Sequence, residues 1–471
     1  MTDSGPRVYH EDCNTGEDLS RHLFGTDGIR GVAGEPPLDA KTAHALGVAI
    51  GRWAGQRAAS GGIHHEPEVV IGMDTRESGR WLAEQVAGGL KRAGVRSRFA
   101  GVITTPGVAY LTRTGDFVAG VMISASHNPY RDNGLKVIGH SGYKLPDAVE
   151  RELEGIIREW LQSGEEAVPQ PLTVDRTLDD LYTNYLAGTV AHKFPFRLVI
   201  DCANGSATEV APRLFKQLGS NVEWIAASPN GRNINLDCGS LHLEGLRAAV
   251  LATGADLGIA FDGDADRALF ISSSGKIIDG DAVLFLAGSR MKAAGKLPGD
   301  VVIATVMSNL GLERALAAHG IGMVRTPVGD KYVLEEMLRL GAVLGGEQSG
   351  HVIFSDFATT GDGLLTALRV LEIMLTTGQT IDSLTEEIAT FPQKLVNIRV
   401  QQKRPLVDLP AVQAEIAAAE QEFGTTGRVV VRFSGTEPLA RVMIEAGTQE
   451  EVDKWTGRIA EAIRSELGAV N

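Results

Sequence analysis

Leu257-Gly258-Ile259-Ala260-Phe261 is a short apolar run that stops at Asp262-Gly263-Asp264-Ala265-Asp266-Arg267. A run of this length, bounded by glycine and acids, reads as a buried strand followed by a tight loop. Open α/β sheets bind ligands beyond the carboxyl ends of their strands, which is where this loop falls. Its three carboxylates occupy alternate positions, and Gly263 and Ala265 are small enough to let them converge on one hard cation. An all-oxygen set favours Mg²⁺, Mn²⁺ or Ca²⁺ over zinc. An EF-hand is excluded, because Arg267 stands where the turn glycine belongs and Ser273 where the closing glutamate belongs. The other reading is an acidic surface turn. Three acids this close repel one another unless something neutralises them, which favours the metal.

The same strand–loop–helix theme extends to both sides. Val69 to Gly72 and Val118 to Ile123 read as strands, and Trp81 to Ala93 as a helix closed by Gly94. The polar stretch Ser163 to Pro171 reads as a linker. Beyond it, Arg197 to Ile200 leads into Asp201, and Asn204-Gly205-Ser206 opens a helix. Val301 to Val306 leads into Ser308-Asn309-Leu310-Gly311, which opens another. The strand-end residues Asp74, Asp201 and Thr305 suggest weak internal repetition. The last ~80 residues differ. There, strands at Leu395–Val400, Gly427–Phe433 and Arg441–Ala446 and helices at Ala411–Gln421 and Glu450–Leu467 predict a separate α+β domain.

Composition bounds the function. The chain has 471 residues with 45 Lys+Arg against 59 Asp+Glu, a net charge of −14. Such an acidic balance argues against a broad nucleic-acid footprint. Hydrophobic residues make up 43% of the chain, which suits large cores, and no apolar run is long enough to span a membrane. The polar N-terminus and three cysteines without ligand spacing point to a reduced, cytoplasmic chain. Glycine is in excess, 56 of 471 residues, against a usual ~7%. Many tight turns or close backbone approaches are therefore expected.

Further chemistry-bearing segments each carry two readings. Ser124-Ala125-Ser126-His127-Asn128-Pro129, continuing to Asp132-Asn133-Gly134-Leu135-Lys136, offers a nucleophile, an imidazole and an amine, but it is also a turn sequence. Arg432-Phe433-Ser434-Gly435-Thr436-Glu437-Pro438, with Arg441 nearby, offers a phosphate cradle or a polar hairpin turn. Gly345-Gly346-Glu347-Gln348-Ser349-Gly350-His351 can meet sugar hydroxyls through Glu347 and Ser349, although a lone histidine is more often structural. Phe24 to Gly31 is another glycine-rich loop. Asp74-Thr75-Arg76 ends a strand, and its bland reading is a helix cap beside a solvated arginine.

Taken in order, Gly25-Thr26-Asp27-Gly28-Ile29-Arg30-Gly31, Asp74-Thr75-Arg76, Ser124 to Pro129, Asp262 to Arg267, Gly346 to His351 and Arg432 to Pro438 resemble the α-D-phosphohexomutase superfamily over about residues 23–466. Phe24, Gln348, and Asn230-Gly231-Arg232-Asn233-Ile234-Asn235 before Cys238-Gly239-Ser240 are most similar to its bacterial phosphoglucosamine mutase branch. Gly34, where many relatives carry asparagine, the N-terminal tail and the insertion at Ser60 to Pro67 depart from the pattern without touching the motifs.

The resemblance implies an α/β chain with three similar α/β domains, mixed sheets and a C-terminal α+β domain around a central cleft. The expected boundaries are a flexible tail at 1–22, the phosphoserine domain at 23–168, the metal domain at 169–273, the sugar-loop domain at 274–390 and the phosphate domain at 391–471. It implies a phosphoserine at Ser126, not Ser124, and one Mg²⁺ per subunit on Asp262, Asp264, Asp266 and a phosphate oxygen of Ser126. Glu347 and Ser349 would bind sugar hydroxyls. Arg432, Ser434, Gly435, Thr436 and Arg441 would hold the distal phosphate. Arg30, Lys136, His351 and Arg267 would lie near the reacting oxygens, with Lys136 and His351 rival general bases and His127 a positioner of the serine loop.

The implied reaction interconverts glucosamine 6-phosphate and glucosamine 1-phosphate through a 1,6-bisphosphate, on the route to UDP-N-acetylglucosamine. Glucosamine or glucose 1,6-bisphosphate would serve as activator, and the chain would form a homodimer. Rival readings are a phosphomannomutase/phosphoglucomutase, a phosphotransferase with Asp262 as nucleophile, and a non-catalytic sugar-phosphate sensor. The expected cleft is cationic, lined by Arg30, Arg76, Lys136, Arg267 and Arg432, inside an acidic exterior.

Overall fold

The computed structural model describes residues 23–25, 27–59, 66–433 and 438–468. The expected N-terminal tail, residues 60–65 of the insertion, and Thr26, Ser434, Gly435 and Thr436 lie outside the described residues. The described residues divide into two compact units: those of 23–303 with 329–386, and those of 304–328 with 387–468.

The larger unit contains two five-stranded sheets built to one plan. The first runs, edge to edge, through Ile29–Val32, Asp132–Gly139, Phe117–Ile123, Glu68–Met73 and Arg96–Val102. The second runs through Ile277–Ile278, Ala268–Ser272, Leu257–Phe261, Arg197–Asp201 and Asn221–Ile225. In both, the first two pairings are antiparallel and the last two parallel. The suspected repetition is therefore a repetition of topology. Central strands buried on both faces need unbroken apolar runs. Phe117–Ile123 (FVAGVMI) and Leu257–Phe261 (LGIAF) meet that need, with every residue buried. The larger unit also carries the antiparallel pair Leu344–Gly346 and Val352–Phe354.

Helices start where side chains satisfy their free amides. Thr104 caps Thr105–Thr114 by accepting from Gly107 N, and Asp279 caps Gly280–Ala293 by accepting from Ala282 N. Asp362 caps Gly363–Thr377 through Leu365 N. The helix expected at Trp81–Ala93 spans Gly79–Arg92, with Gly94 beyond it at φ +76.

The segment read as a linker is no loose tether. Gln170 N donates to Glu84 O, Leu172 packs on the first core, and Val174 pairs with Phe99 as an isolated bridge. A Cβ on Gly88 would stand 2.1 Å from Val168 O. The polar composition signalled an exposed chain, but Gln170 ties it to the helix Gly79–Arg92, and Val174 just beyond it joins the edge strand Arg96–Val102.

The smaller unit contains the antiparallel sheet Gln393–Arg399, Leu439–Glu445, Arg428–Phe433, in that order, with helices Pro410–Phe423 and Gln449–Leu467. This is the expected α+β order. Phe423 and Trp455 meet edge-to-face at 6.3 Å in its core. Thr448 and Glu451 form a reciprocal capping box on the last helix. The buried Glu445 accepts from Leu310 N at 2.9 Å and pairs with Arg428. No described helix is long and apolar enough to cross a membrane.

Candidate active site

Ser126 follows the buried strand Phe117–Ile123 in a left-handed backbone conformation, φ +50. A non-glycine residue held there costs about 1–3 kcal/mol and needs surrounding support. The support is dense. Ser126 N donates to Ser124 Oγ at 2.9 Å. Arg76 donates to the carbonyls of Ser126 (3.1 Å) and Asn128 (2.6 Å). Arg76 is 2% exposed and ion-paired with the fully buried Asp74. The strand-end Asp74-Thr75-Arg76 is thus no helix cap with a solvated arginine; its guanidinium is engaged with the serine loop. Burial raises the Asp74 pKa, against the pull of Arg76.

Ser126 Oγ donates to Asp262 Oδ2 at 2.6 Å and lies 3.4 Å from His127 Nδ1. The serine that follows one sheet's central strand therefore meets the first acid that follows the other's. Asp262, Asp264 and Asp266 offer oxygens that all lie within 4.8 Å of one another. Among the described residues, Asp264 Oδ1 and Asp266 Oδ1 are buried with no hydrogen-bond donor. Orphaned buried carboxylate oxygens demand a partner. One divalent cation fits them and the oxygen-only donor set. Burial and the neighbouring Asp266 and Asp264 raise the Asp262 pKa well above the carboxylate range, the behaviour of a group placed for a counter-charge.

Lys136 is 4% exposed and bridges Asp264 Oδ2 (2.8 Å) and Asp27 Oδ2 (2.9 Å). Thr105 Oγ1 also donates to Asp264, at 2.5 Å. Burial opposes the Lys136 charge, but Asp264 and Asp27 outweigh it and raise its pKa. The chain of charges continues through Lys144, 2.7 Å from Asp27 and 2.6 Å from Asp330. Arg30 also pairs with Asp27. Against burial, Lys136, Lys144 and Arg30 hold Asp27 well below its ordinary value.

His351 is 3% exposed, with Nδ1 3.5 Å from Asp266 Oδ2. Burial lowers its pKa, but Asp266, Asp330 and Glu347 more than compensate and bring it to about 9. Against that, the Gly361 amide donates to Nε2 at 3.1 Å. A fixed backbone N–H directed at Nε2 requires a lone pair there, so the geometry holds the neutral form protonated at Nδ1. Gly361 is required: a Cβ there would lie 2.6 Å from the imidazole ring. Lys136 is thus held between two carboxylates, and the Nε2 lone pair of His351 is taken by the Gly361 amide. Burial, Arg267 and Arg30 lower the His127 pKa.

Arg267 N donates to Asp262 Oδ1 at 3.2 Å, and its Nε lies 3.8 Å from Asp266. Glu347 and Ser349 sit in the turn between Leu344–Gly346 and Val352–Phe354. Glu347 Oε1 accepts from Gly329 N at 3.2 Å, and Gly350 O accepts from Ala268 N at 3.1 Å, tying the sugar loop to the strand after the metal loop.

Within the smaller unit, Arg432 and Arg441 are direct cross-strand partners. Like charges directly opposite repel, and an anion beside them relieves the repulsion. Ser434, Gly435 and Thr436, between their strands, lie outside the described residues.

The sequence does not mark every residue of this network. Thr105, Lys144 and Asp330 belong to it, and no local pattern marks a residue whose partner is a hundred positions away. Asp27 lies inside the Gly25-to-Gly31 motif, and its acid beside Arg30 is the available signal.

Comparison with known proteins agrees with this geometry. The chain matches family models described as phosphoglucomutase/phosphomannomutase alpha/beta/alpha domain I at residues 21–163, domain II at 178–275, domain III at 279–391 and C-terminal domain at 395–462. It is 59% identical to a phosphoglucosamine mutase of Solibacter usitatus, over 96% of this chain and 100% of that protein. It is 50% identical to a phosphoglucosamine mutase of Koribacter versatilis, over 95% and 98%. A solved phosphoglucomutase/phosphomannomutase family protein from Burkholderia thailandensis superposes with TM-score 0.78 at 25% identity, covering 95% of this chain and 98% of that one. The chain belongs to the phosphoglucomutase/phosphomannomutase family.

Proposed function

We propose that this isomerase interconverts glucosamine 6-phosphate and glucosamine 1-phosphate, with Ser126 carrying the phosphoryl group. The observation that carries the reading is the 2.6 Å hydrogen bond from Ser126 Oγ to Asp262, first of three convergent acids. The names of the relatives support the choice of sugar.

Phosphorylated Ser126 donates to the sugar 1-hydroxyl: the new P–O bond forms at the sugar as the bond to Ser126 Oγ breaks, and the hydroxyl proton ends on Oγ. The resulting 1,6-bisphosphate turns around. Ser126 Oγ then attacks the 6-phosphoryl group, which leaves glucosamine 1-phosphate and restores the phosphoserine. The Oγ proton is faced by Asp262 Oδ2 at 2.6 Å and His127 Nδ1 at 3.4 Å, so one of these takes it up, and a proton is returned to the departing sugar O6. A cation, read as Mg²⁺ held by Asp262, Asp264, Asp266 and an oxygen on Ser126, would neutralise charge on the transferring group.

Lys136, beside Asp264, is the general base of the two that the resemblance implied, because the Gly361 amide on His351 Nε2 leaves that ring to orient Asp266. Arg267 and Arg30 supply positive charge to phosphoryl oxygens. Glu347 and Ser349 bind sugar hydroxyls, and Arg432 with Arg441 and the loop after Phe433 binds the non-reacting phosphate. Glucosamine or glucose 1,6-bisphosphate would recharge enzyme that has lost its phosphate. We place the enzyme in the cytoplasm as a homodimer.

Relative kcat/KM for glucosamine, glucose and mannose 6-phosphates, measured with Mg²⁺ and trace bisphosphate, tests the reading. A clear preference for glucosamine supports it. Preference for glucose or mannose moves the chain to the broader mutases, and binding without turnover makes it a sensor.

A further inference from the structure

The serine loop is gripped from both sheets, and the second grip comes from a residue with no assigned role. Asn235 Nδ2 donates to Ser126 O at 2.9 Å and to Asn128 O at 3.1 Å. These are the two carbonyls that Arg76 also binds. One donor comes from the sheet that carries the serine and the other from the sheet that carries the metal loop. Together they hold the carbonyls of the residues on either side of His127, and with them the left-handed turn at Ser126.

Asn235 is itself firmly placed. Its backbone sits at φ +58, and its N donates to Ala203 O at 2.9 Å. Its loop is fastened to the segment that carries Arg76: Glu77 N donates to Gly231 O at 3.0 Å, and Arg232 pairs with Glu77 at 2.7 Å. Gly263 of the metal loop closes the arrangement. A Cβ there would stand 2.4 Å from Ser126 O and 2.9 Å from Asn235 Nδ2. Serine carbonyl, carboxamide and metal loop are therefore in direct contact, and a shift of one shifts the others.

We infer that Asn235 is a positioning residue for phosphoryl transfer: its carboxamide sets Ser126 Oγ against Asp262 by holding the carbonyls of Ser126 and Asn128. This rests on Ser126 being the phosphoryl carrier. Misplacing a reacting atom by about 1 Å costs about 10²-fold in rate while leaving distant binding contacts intact. The role therefore shows in kcat and not in KM.

The test compares Asn235→Gly and Asn235→Asp with the wild-type enzyme, on glucosamine 6-phosphate with Mg²⁺ and glucose 1,6-bisphosphate. Glycine tolerates φ +58 and removes only the side chain. Aspartate keeps the shape but turns acceptor oxygens toward two carbonyls. Both variants are expected to lose about 10- to 100-fold in kcat with KM within about threefold. Thermal melting identifies a variant that has not folded, and the other variant then decides. Retention of kcat within about twofold in Asn235→Gly overturns the inference. So does an Asn235→Asp enzyme that keeps its kcat, because shape alone would then suffice. Intact mass of the wild-type enzyme separates this from failure of the underlying reading: if Ser126 never takes phosphate, the carrier assignment falls first.

Discussion

The serine loop and the metal loop occupy the same place in two sheets of the same plan. Each is the turn from a fully buried central strand into its antiparallel neighbour: Phe117–Ile123 into Asp132–Gly139, and Leu257–Phe261 into Ala268–Ser272. The sugar loop repeats the position between Leu344–Gly346 and Val352–Phe354. What differs is how each is held. The serine loop presents one oxygen from a strained backbone, and its carbonyls need donors from Arg76 and Asn235. The metal loop presents carboxylates, and Lys136 of the other sheet partners one of them. Each loop is completed by a neighbouring repeat: the serine loop by Asn235, the metal loop by Lys136 and the third loop by Ala268.

The comparison can be broken at several points. The largest effect falls on the proposed phosphoryl carrier: Ser126→Ala is expected to lower kcat by at least about 10³-fold with folding intact, checked by steady-state rates and circular dichroism. Next come the strand-end acids, Asp74 and Asp201, which hold equivalent positions. Asp74→Asn leaves the buried Arg76 without its charge partner, so a loss of about 3–5 kcal/mol in stability is expected, with a fall in kcat. Asp201 accepts only amide N–H groups, from Ala203 at 2.8 Å and Gly239 at 2.9 Å. Asp201→Asn should cost about 1–3 kcal/mol. Denaturant melts of the pair check this, and equal losses would erase the distinction between the two loops.

Arg432→Ala is expected to raise KM about tenfold or more while kcat changes less, the signature of a group that binds the non-reacting phosphate. The opposite split in steady-state kinetics removes it from that role. The smallest effect concerns pH. Burial and then Asp147 raise the Glu150 pKa to about 7 in the folded chain. The folded state therefore keeps a proton that the unfolded chain has already released. Stability from this group is full below the ordinary glutamate value and is lost as pH rises through about 7. Glu150→Gln should flatten the fall in Tm between about pH 5 and pH 8.

Much of this was legible in the sequence. Unbroken apolar runs ending in acids, as at Leu257 to Asp262, mark buried strands with loops at their carboxyl ends, and the alternation in Asp262, Asp264 and Asp266 announces a cation. The excess of glycine has a concrete meaning at Gly263 and Gly361, where any side chain would strike Ser126 O or the His351 ring. The counter-charges were not legible. Whether Arg76 is solvated or buried, and whether Lys136 can lose its proton, depends on Asp74, Asp27 and Asp264 as they converge from three segments. The same holds for His351, whose lone pair is set by an amide ten residues away.

The most direct test of the account is where phosphate resides on the enzyme. After incubation with glucosamine 1,6-bisphosphate, intact mass and peptide mapping should find one acid-stable phosphate on Ser126. An acid-labile phosphate on Asp262, with Ser126 unmodified, would contradict it.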